Sequence, residues 1–191
     1  MKKLTTSLML TISYLLLLTA ATPAPGPWVQ TLTKGNKKIT KLHFYVHNLE
    51  LGPNATVYRV ATASITSTSP TSFGQVNVFD DRVTAEPDIK SEQVARAQGT
   101  SAYADLQAGA IAMTANFYIT SGEFNGSTLV IAGRNPLLEP TRELPVIGGT
   151  GAFRLARGYA VVGIYLYDKA ARYSVLEYTV YVISRRHMLC V

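Results

Sequence analysis

Apolar and polar residues alternate with a period of two along most of the chain after residue 40. In residues 41–48, Leu42, Phe44 and Val46 fall on one face, and the same alternation returns in residues 110–120. This period, carried by β-branched and aromatic residues, predicts β-strands, and no ten-residue segment after residue 21 has a clear helical stripe. The predicted strands are 41–48, 56–64, 75–80, 93–104, 110–120, 127–133, 152–167 and 172–183.

The expected fold class is therefore all-β. Eight antiparallel strands either close into a barrel, which leaves no exposed edges, or pack as a sandwich. Residues 159–167 are apolar on both faces of the predicted strand. One face can line the barrel, whereas the other needs cover, most simply from another copy of the protein. We therefore expect a homo-oligomer.

The N-terminus has the layout of a secretory signal peptide. Lys2 and Lys3 precede an apolar run at residues 8–20, and small residues and prolines follow it. A membrane anchor is the alternative, but this run is shorter than the ~20 residues that span a bilayer. The expected organisation is a signal peptide at 1–21, a flexible segment at 22–40, one barrel domain at 41–184 and a tail at 185–191. The mature protein is expected to be secreted and not held in a membrane.

Net charge and cysteine content narrow the context of the protein. The formal charge of +6 falls to +4 without the two lysines of the leader. Because the basic residues are scattered, we expect no nucleic-acid partner, and a modest basic excess suits polyanionic surroundings. Cys190 is the single cysteine, so no disulfide can form within the chain. Asn54 and Asn125 each begin an N-glycosylation sequon in turn-like sequence, and both are candidate glycosylation sites.

Few clusters of residues suggest chemistry. His43 and His47 would lie ~13 Å apart on a strand, too far to share an ion, so we interpret them as surface histidines and expect no metal. Residues 148–151, Gly-Gly-Thr-Gly, lack the lysine of a phosphate loop and are interpreted as a tight turn. Asp80 and Asp81 are adjacent, which fits either acid–base chemistry or capping of a turn, and turn capping is the favoured interpretation.

Two polar residues nevertheless stand out as candidate site residues. Asn48 continues the apolar face of the first predicted strand, so its amide needs a partner, a ligand or a place at the barrel mouth. Arg142 lies between two proline-marked turns, beside Glu143. It is either half of a surface ion pair of little energetic value or a cationic donor at the rim of a pocket.

The run Gly133-Arg134-Asn135-Pro136, followed by residues 142–160, closely resembles the signature of the plant dirigent family. Residues 44–47 (Phe-Tyr-Val-His), 78–81 (Val-Phe-Asp-Asp), 96–99 (Arg-Ala-Gln-Gly) and the strand-like ending at 176–183 extend the similarity over about residues 42–183. The resemblance implies an eight-stranded antiparallel barrel like that of allene oxide cyclases. It also implies a homotrimer, with a dimer as the alternative, secreted to the apoplast.

The same resemblance implies a function in phenylpropanoid and lignan chemistry. Members of this family steer the coupling of two phenoxy radicals, such as those of coniferyl alcohol, into optically active lignans, while a separate laccase or peroxidase makes the radicals. The protein would then act as an auxiliary without a cofactor or redox centre. An alternative is a carbon–oxygen lyase that dehydrates isoflavanols to pterocarpans through a quinone methide. A third possibility is a wall protein that binds phenolics or glycans without controlling a product.

Residues can be assigned to the expected pocket by the same resemblance. Arg142 matches the family's arginine, whereas Asn48 and Asn135 stand where pinoresinol-forming members have aspartates. These three are the candidate catalytic residues. With both carboxylates replaced by amides, general-acid catalysis is hard to support, although an amide can still bind a phenol oxygen. The candidate substrate-binding residues are Tyr58, Ser101, Tyr103 and Phe117.

Overall fold

The computed structural model of the protein describes residues 26–34 and 37–185. Residues 1–25, which include the predicted signal peptide, residues 35–36 and the tail beyond residue 185, with His187 and Cys190, lie outside these ranges. Over the described ranges, no helix is both long and apolar enough to cross a membrane. The strands are β1 (Val29–Lys34), β2 (Lys37–Leu49), β3 (Val57–Ala61), β4 (Val76–Thr84), β5 (Gln93–Tyr103), β6 (Ala110–Ile119), β7 (Thr128–Pro136), β8 (Thr141–Gly149), β9 (Arg157–Asp168) and β10 (Tyr173–Arg185).

Eight of these strands close into an antiparallel barrel, as the sequence predicts. The order runs β2-β10-β9-β8-β7-β6-β5-β4, and β4 returns to pair with β2 at Val46↔Val83. β1 pairs with the first half of β2, and β3 pairs with the first half of β4. These two strands therefore extend the wall of the barrel without belonging to the closed ring.

The membership of the ring differs from the prediction at two places, because β3, predicted at 56–64, lies outside the ring and β8 takes a place in it. β8 (141–149) was not predicted, and the predicted strand 152–167 is a 3-10 turn at Gly151–Phe153 followed by β9. Pro140, Pro145 and the glycines at 148 and 149 have the composition of a turn, but Pro145 lies where the pairing of β7 with β8 has already ended, at Ile131↔Val146. A residue there needs no N–H for the β7 ladder, so proline is tolerated.

The N-terminal part of the domain is more ordered than the sequence predicts. Residues 29–34 and 37–40, which we expected in a flexible segment, lie in β1 and the start of β2. Trp28 is buried and belongs to the same apolar cluster as Phe124 and Phe153, whose rings are 4.9 Å apart. These aromatic side chains fill the barrel at the end where β2 begins.

The inward positions of the strands form the core. On β6, Met113, Ala115, Phe117 and Ile119 are buried, as the alternation predicts. His47, on the other face of β2, is also buried and not a surface histidine. Its ring nitrogens lie 2.6 Å from the hydroxyls of Tyr173 and Thr84.

Candidate functional site

A cavity of about 400 Å³ opens at the end of the barrel opposite the Trp28 cluster, where β2 and β7 end and β8 and β10 begin. This volume lies within the range of pockets that hold small organic molecules. Aromatic and aliphatic side chains form most of its wall, and a few polar groups face into it. The polar residues and tyrosines of the wall are Asn48, Glu50, Asn77, Asp81, Ser101, Tyr103, Asn135, Arg142, Tyr167, Ser174 and Tyr178.

Arg142 is the cation of this cavity. Residues 142, 144 and 146 of β8 are buried while residues 141, 143, 145 and 147 are exposed, so the arginine points inward from the start of a strand instead of standing at a turn. It is only 3% exposed. Its Nη1 donates to the side-chain oxygen of Asn135 over 3.3 Å, but its Nε and Nη2 have no hydrogen-bond partner within residues 26–34 and 37–185. Burial lowers the pKa of Arg142 from its usual value, although a guanidinium stays charged.

Asn135 holds that arginine in place. It lies near the end of β7 and is buried. Its amide nitrogen lies 3.1 Å from the sulfur of Met113, and its oxygen accepts from Arg142. β7 and β8 no longer pair at this level, so the contact between Asn135 and Arg142 links the two separated strands. Gly133 of β7 lies close to β8 here. A Cβ at this position would lie 3.0 Å from the ring of Pro145.

Asp81 is the buried acid of the cavity, and the interpretation of Asp80-Asp81 as turn caps is wrong. Both residues lie inside β4, on opposite faces. Asp80 points out and pairs with Arg96, whereas Asp81 points in and is 2% exposed. Burial raises the pKa of Asp81 to about 7, against the opposing effect of hydrogen bonds from Thr56 (2.6 Å) and Asn48 (3.2 Å). A carboxyl group with this pKa can donate a proton near neutral pH.

This acid changes the chemistry expected of the site. The two asparagines at positions 48 and 135 made general-acid catalysis hard to support from the sequence. Asn48, however, lines the cavity beside Asp81 and donates directly to its carboxyl group. The alternation along Val76-Asn77-Val78-Phe79 contains the signal for Asp81. If the strand continues past residue 80, residue 81 lies on the same face as residues 77 and 79.

Tyr178 and Phe117 line the cavity, and both rings pack against Phe44 behind them. Tyr178 stacks on Phe44 with ring centroids 5.6 Å apart, and Phe117 lies tilted 5.5 Å from Tyr178. Burial raises the pKa of Tyr178 to about 12, although the nearby positive charge of Arg142 opposes that rise. The hydroxyl of Tyr178 is therefore neutral at physiological pH. Sequence reasoning placed Tyr178 on one face of its strand but did not assign it to the site.

Of the predicted substrate-binding residues, three line the cavity and one does not. Phe117 and Ser101 are buried in its wall, and Tyr103 is half-buried near the mouth, where burial raises its pKa. Tyr58 is 56% exposed and borders a separate shallow cleft on the outside of the barrel. The reason is topological, because β3 lies outside the closed ring and Tyr58 pairs with Val78, which also faces outward.

The two predicted glycosylation positions are accessible. Asn54 lies in the exposed turn between β2 and β3. Asn125 is exposed after the 3-10 turn that leads into β7. Glycosylation at these two asparagines stays a prediction.

Comparison with known proteins agrees with this architecture. A family model described as dirigent-like protein matches residues 39–183. The chain belongs to the dirigent family. It is 45% identical to Dirigent protein 11 of Arabidopsis thaliana over 176 residues, which cover 91% of this chain and 90% of that protein. It is also 38% identical to Pterocarpan synthase 1 of Glycyrrhiza echinata over 147 residues, covering 76% and 78% of the two chains.

A solved structure supports the same fold. The pterocarpan synthase dirigent protein GePTS1 superposes with a TM-score of 0.74 at 36% identity, and the match covers 84% of this chain and 92% of that one. The dirigent family thus includes proteins named as synthases, and membership alone leaves open whether this chain is an enzyme.

Proposed function

We propose that this dirigent protein binds phenolic molecules in the barrel cavity and imparts stereoselectivity on the coupling of their phenoxy radicals. A separate oxidase, such as a laccase or peroxidase, supplies the radicals. The observation that carries the proposal is the buried guanidinium of Arg142, a residue that lines an otherwise largely apolar and aromatic cavity and keeps two donors without a partner among the described residues. The similarity of the chain to Dirigent protein 11 supports the same function.

The physical basis is orientation. A stereoselective coupling needs each radical to expose one face, and a cavity that holds a ring and one oxygen at fixed positions can provide this without taking part in electron transfer. In this cavity, the rings of Phe117 and Tyr178 offer flat apolar contacts, and Phe44 packs against both of them. Arg142 offers strong donors to an oxygen atom of the ligand. The two contacts together would fix which face of the ring is open.

The test is a coupling reaction with an external oxidase. Coniferyl alcohol is oxidised by a laccase in the presence of increasing amounts of the purified protein, and the lignan enantiomers are separated by chiral chromatography. We expect an enantiomeric excess that rises with protein concentration and saturates. A racemic product at saturating protein would reject this function for that substrate.

A second candidate, dehydration of an isoflavanol, is favoured by one specific observation, the Asp81 carboxyl group with a pKa of about 7. In this reaction Asp81 would give its proton to the leaving hydroxyl, so that the carbon–oxygen bond breaks and water departs. A phenol hydroxyl of the substrate gives its proton to solvent as the quinone methide forms. A second phenol hydroxyl then adds through its oxygen to the quinone-methide carbon and closes the new ring; its proton returns to Asp81, and the first phenol oxygen regains a proton from solvent. Arg142 can stabilise negative charge on a phenol oxygen during these steps.

The two candidates are distinguished by the need for an oxidant. Turnover of an isoflavanol without any oxidase, abolished by Asp81→Asn, would favour the lyase. Stereoselective coupling that persists in Asp81→Asn would favour the auxiliary function. Tight binding of phenolics with neither effect would leave a binding protein of the cell wall.

A further inference from the structure

The unpaired atoms of Arg142 form one edge of its guanidinium group. Nε and Nη2 lie on the same side of the group and point their N–H bonds in parallel, while Nη1 is occupied by Asn135. Two parallel donors of this kind match the two oxygens of a carboxylate. The protein itself contains an example, because Arg96 uses its Nε and Nη2 to bind both carboxylate oxygens of Asp80.

We propose that this edge of Arg142 binds the carboxylate of a phenolic acid, so that the preferred ligands are hydroxycinnamic acids and not the corresponding alcohols. The inference rests on the proposed function, because it assumes that the cavity binds phenolic molecules. It adds that phenolic acids are the preferred class among these molecules. An alcohol oxygen can satisfy one donor of the edge well, whereas a carboxylate satisfies both and carries the opposite charge.

The charges around Arg142 support this choice. Its one hydrogen-bond partner among the described residues is the neutral amide of Asn135, and it makes no ion pair there. The buried acid of the cavity, Asp81, is held instead by Thr56 and Asn48, and the exposed Glu50 pairs with Arg172. A buried and uncompensated positive charge is costly, and a ligand carboxylate would offset that cost.

Residue 135 therefore decides the charge of the ligand site. With asparagine there, Arg142 keeps its full positive charge for the ligand. An aspartate at the same position would place a carboxylate against Nη1 and neutralise the arginine from within the protein. The variant Asn135→Asp has nearly the same shape, so it tests charge without removing the side chain.

The experiment compares three ligands that share one phenolic ring and side-chain skeleton. Calorimetry or ligand-observed NMR measures the dissociation constants of ferulic acid, its methyl ester and coniferyl alcohol at about pH 6, well above the ordinary pKa of a carboxylic acid. Because a bidentate charged contact replaces single neutral ones, we expect wild-type protein to bind ferulate at least about tenfold more tightly than the other two.

Variants locate this preference on the proposed atoms. Arg142→Gln and Asn135→Asp should each reduce the ratio of ferulate to ester affinity to about one. Arg96→Lys is the matched control, since the same edge of Arg96 is already filled by Asp80 on the outside of the barrel. This control should keep the wild-type ratio.

Three results would overturn the inference: equal affinity of wild type for acid and ester, a preference for the alcohol, or an acid preference that survives Arg142→Gln. Each differs from failure of the proposed function. Stereoselective coupling of coniferyl alcohol without an acid preference would sustain the function and reject the carboxylate site. An acid preference that depends on Arg142, together with racemic coupling products, would sustain the carboxylate site and reject the proposed function.

Discussion

The hydroxyl of Thr56 lies 2.6 Å from Oδ1 of Asp81 and donates a hydrogen bond to it. The same hydroxyl oxygen accepts the backbone N–H of Leu49 at 3.1 Å, which fixes its position between the end of β2 and the middle of β4. Thr56 is also the third residue of the sequon that begins at Asn54. The buried acid of the cavity is thus held by a residue that N-glycosylation at Asn54 requires.

Removing this hydroxyl should raise the pKa of Asp81 further. The hydrogen bond from Thr56 favours the ionised carboxylate and so lowers the pKa of Asp81, against the effect of burial. Thr56→Val removes this hydrogen bond, and the effect of burial then raises the pKa further. Titration of the Asp81 carboxyl carbon by NMR measures the shift directly. Thr56→Ser keeps both the hydroxyl and the sequon and should titrate like wild type. Asn54→Gln removes the sequon alone and serves as the control for a lost glycan. A pKa that stays unchanged in Thr56→Val would mean that the hydroxyl does not support the carboxylate.

Asp81 should also make the protein less stable as the pH rises. Its pKa is higher in the folded protein than the ordinary 3.8, so the native state binds the proton more tightly than the unfolded chain. The full stability is present below about pH 4 and is lost as the pH rises through about 7. A shift of this size corresponds to about 4 kcal/mol, as an order of magnitude.

Urea unfolding of wild type and Asp81→Asn between about pH 4 and pH 8 tests this pH dependence. The difference between their free energies of unfolding isolates Asp81 from other titrating groups. The asparagine variant should gain stability relative to wild type as the pH increases. Parallel curves for the two proteins would contradict the assignment of Asp81 as a buried acid.

The sequence predicts strands because alternation is a local signal that survives in β2, β6 and β10, and the closed barrel follows from the resemblance to the dirigent family. It does not predict β8, because Pro140, Pro145 and two glycines have turn composition. Only the tertiary arrangement shows that the strand needs no β7 partner at Pro145. Asp81 was misassigned for a related reason. Two adjacent carboxylates look like a turn unless the strand is known to continue to Thr84.

Residues at the site also differ in whether the local sequence pattern predicts their positions. Asn48 follows from the period of β2, which carries it to the inner face with Leu42, Phe44 and Val46. The pairing of Arg142 with Asn135 depends on two strands meeting across a loop, and no local pattern contains that information. Tyr58 lies on a strand outside the ring, and the alternation of β3 alone cannot distinguish a ring strand from an added one.

The outer face of β9 and β10 should be covered by other copies of the chain. Tyr165 is 55% exposed there, Tyr159 stacks on Tyr181 at 5.0 Å, and Ile183 is also exposed. We predict a trimer, and light scattering should give about three times the mass of one mature chain. Tyr165→Glu should lower that mass, because it places a charge in the contact. Tyr118→Glu, on the outside of β6, is the control. A stable monomer of the wild-type protein at micromolar concentration would show that this face is not an interface.

Export should leave a shortened and glycosylated protein. We predict removal of a leader of about 21 residues and a glycan at Asn54, Asn125 or both, because both asparagines are exposed in turns. Mass spectrometry of protein recovered from the medium of expressing plant cells checks both features. Detection of intact Met1 with both asparagines unmodified would contradict secretion to the apoplast.

The central claim is that Arg142 orients the ligand whose coupling the barrel directs. The most direct measurement is the enantiomeric excess of the lignan formed from laccase-generated coniferyl radicals, compared between wild type and Arg142→Gln at equal saturating concentrations. Removal of an uncompensated buried charge should leave the barrel folded, and a thermal melt verifies this. The account predicts an optically active product with wild type and a racemic one with Arg142→Gln. An undiminished excess with the folded variant, or a racemate with wild type, would contradict it.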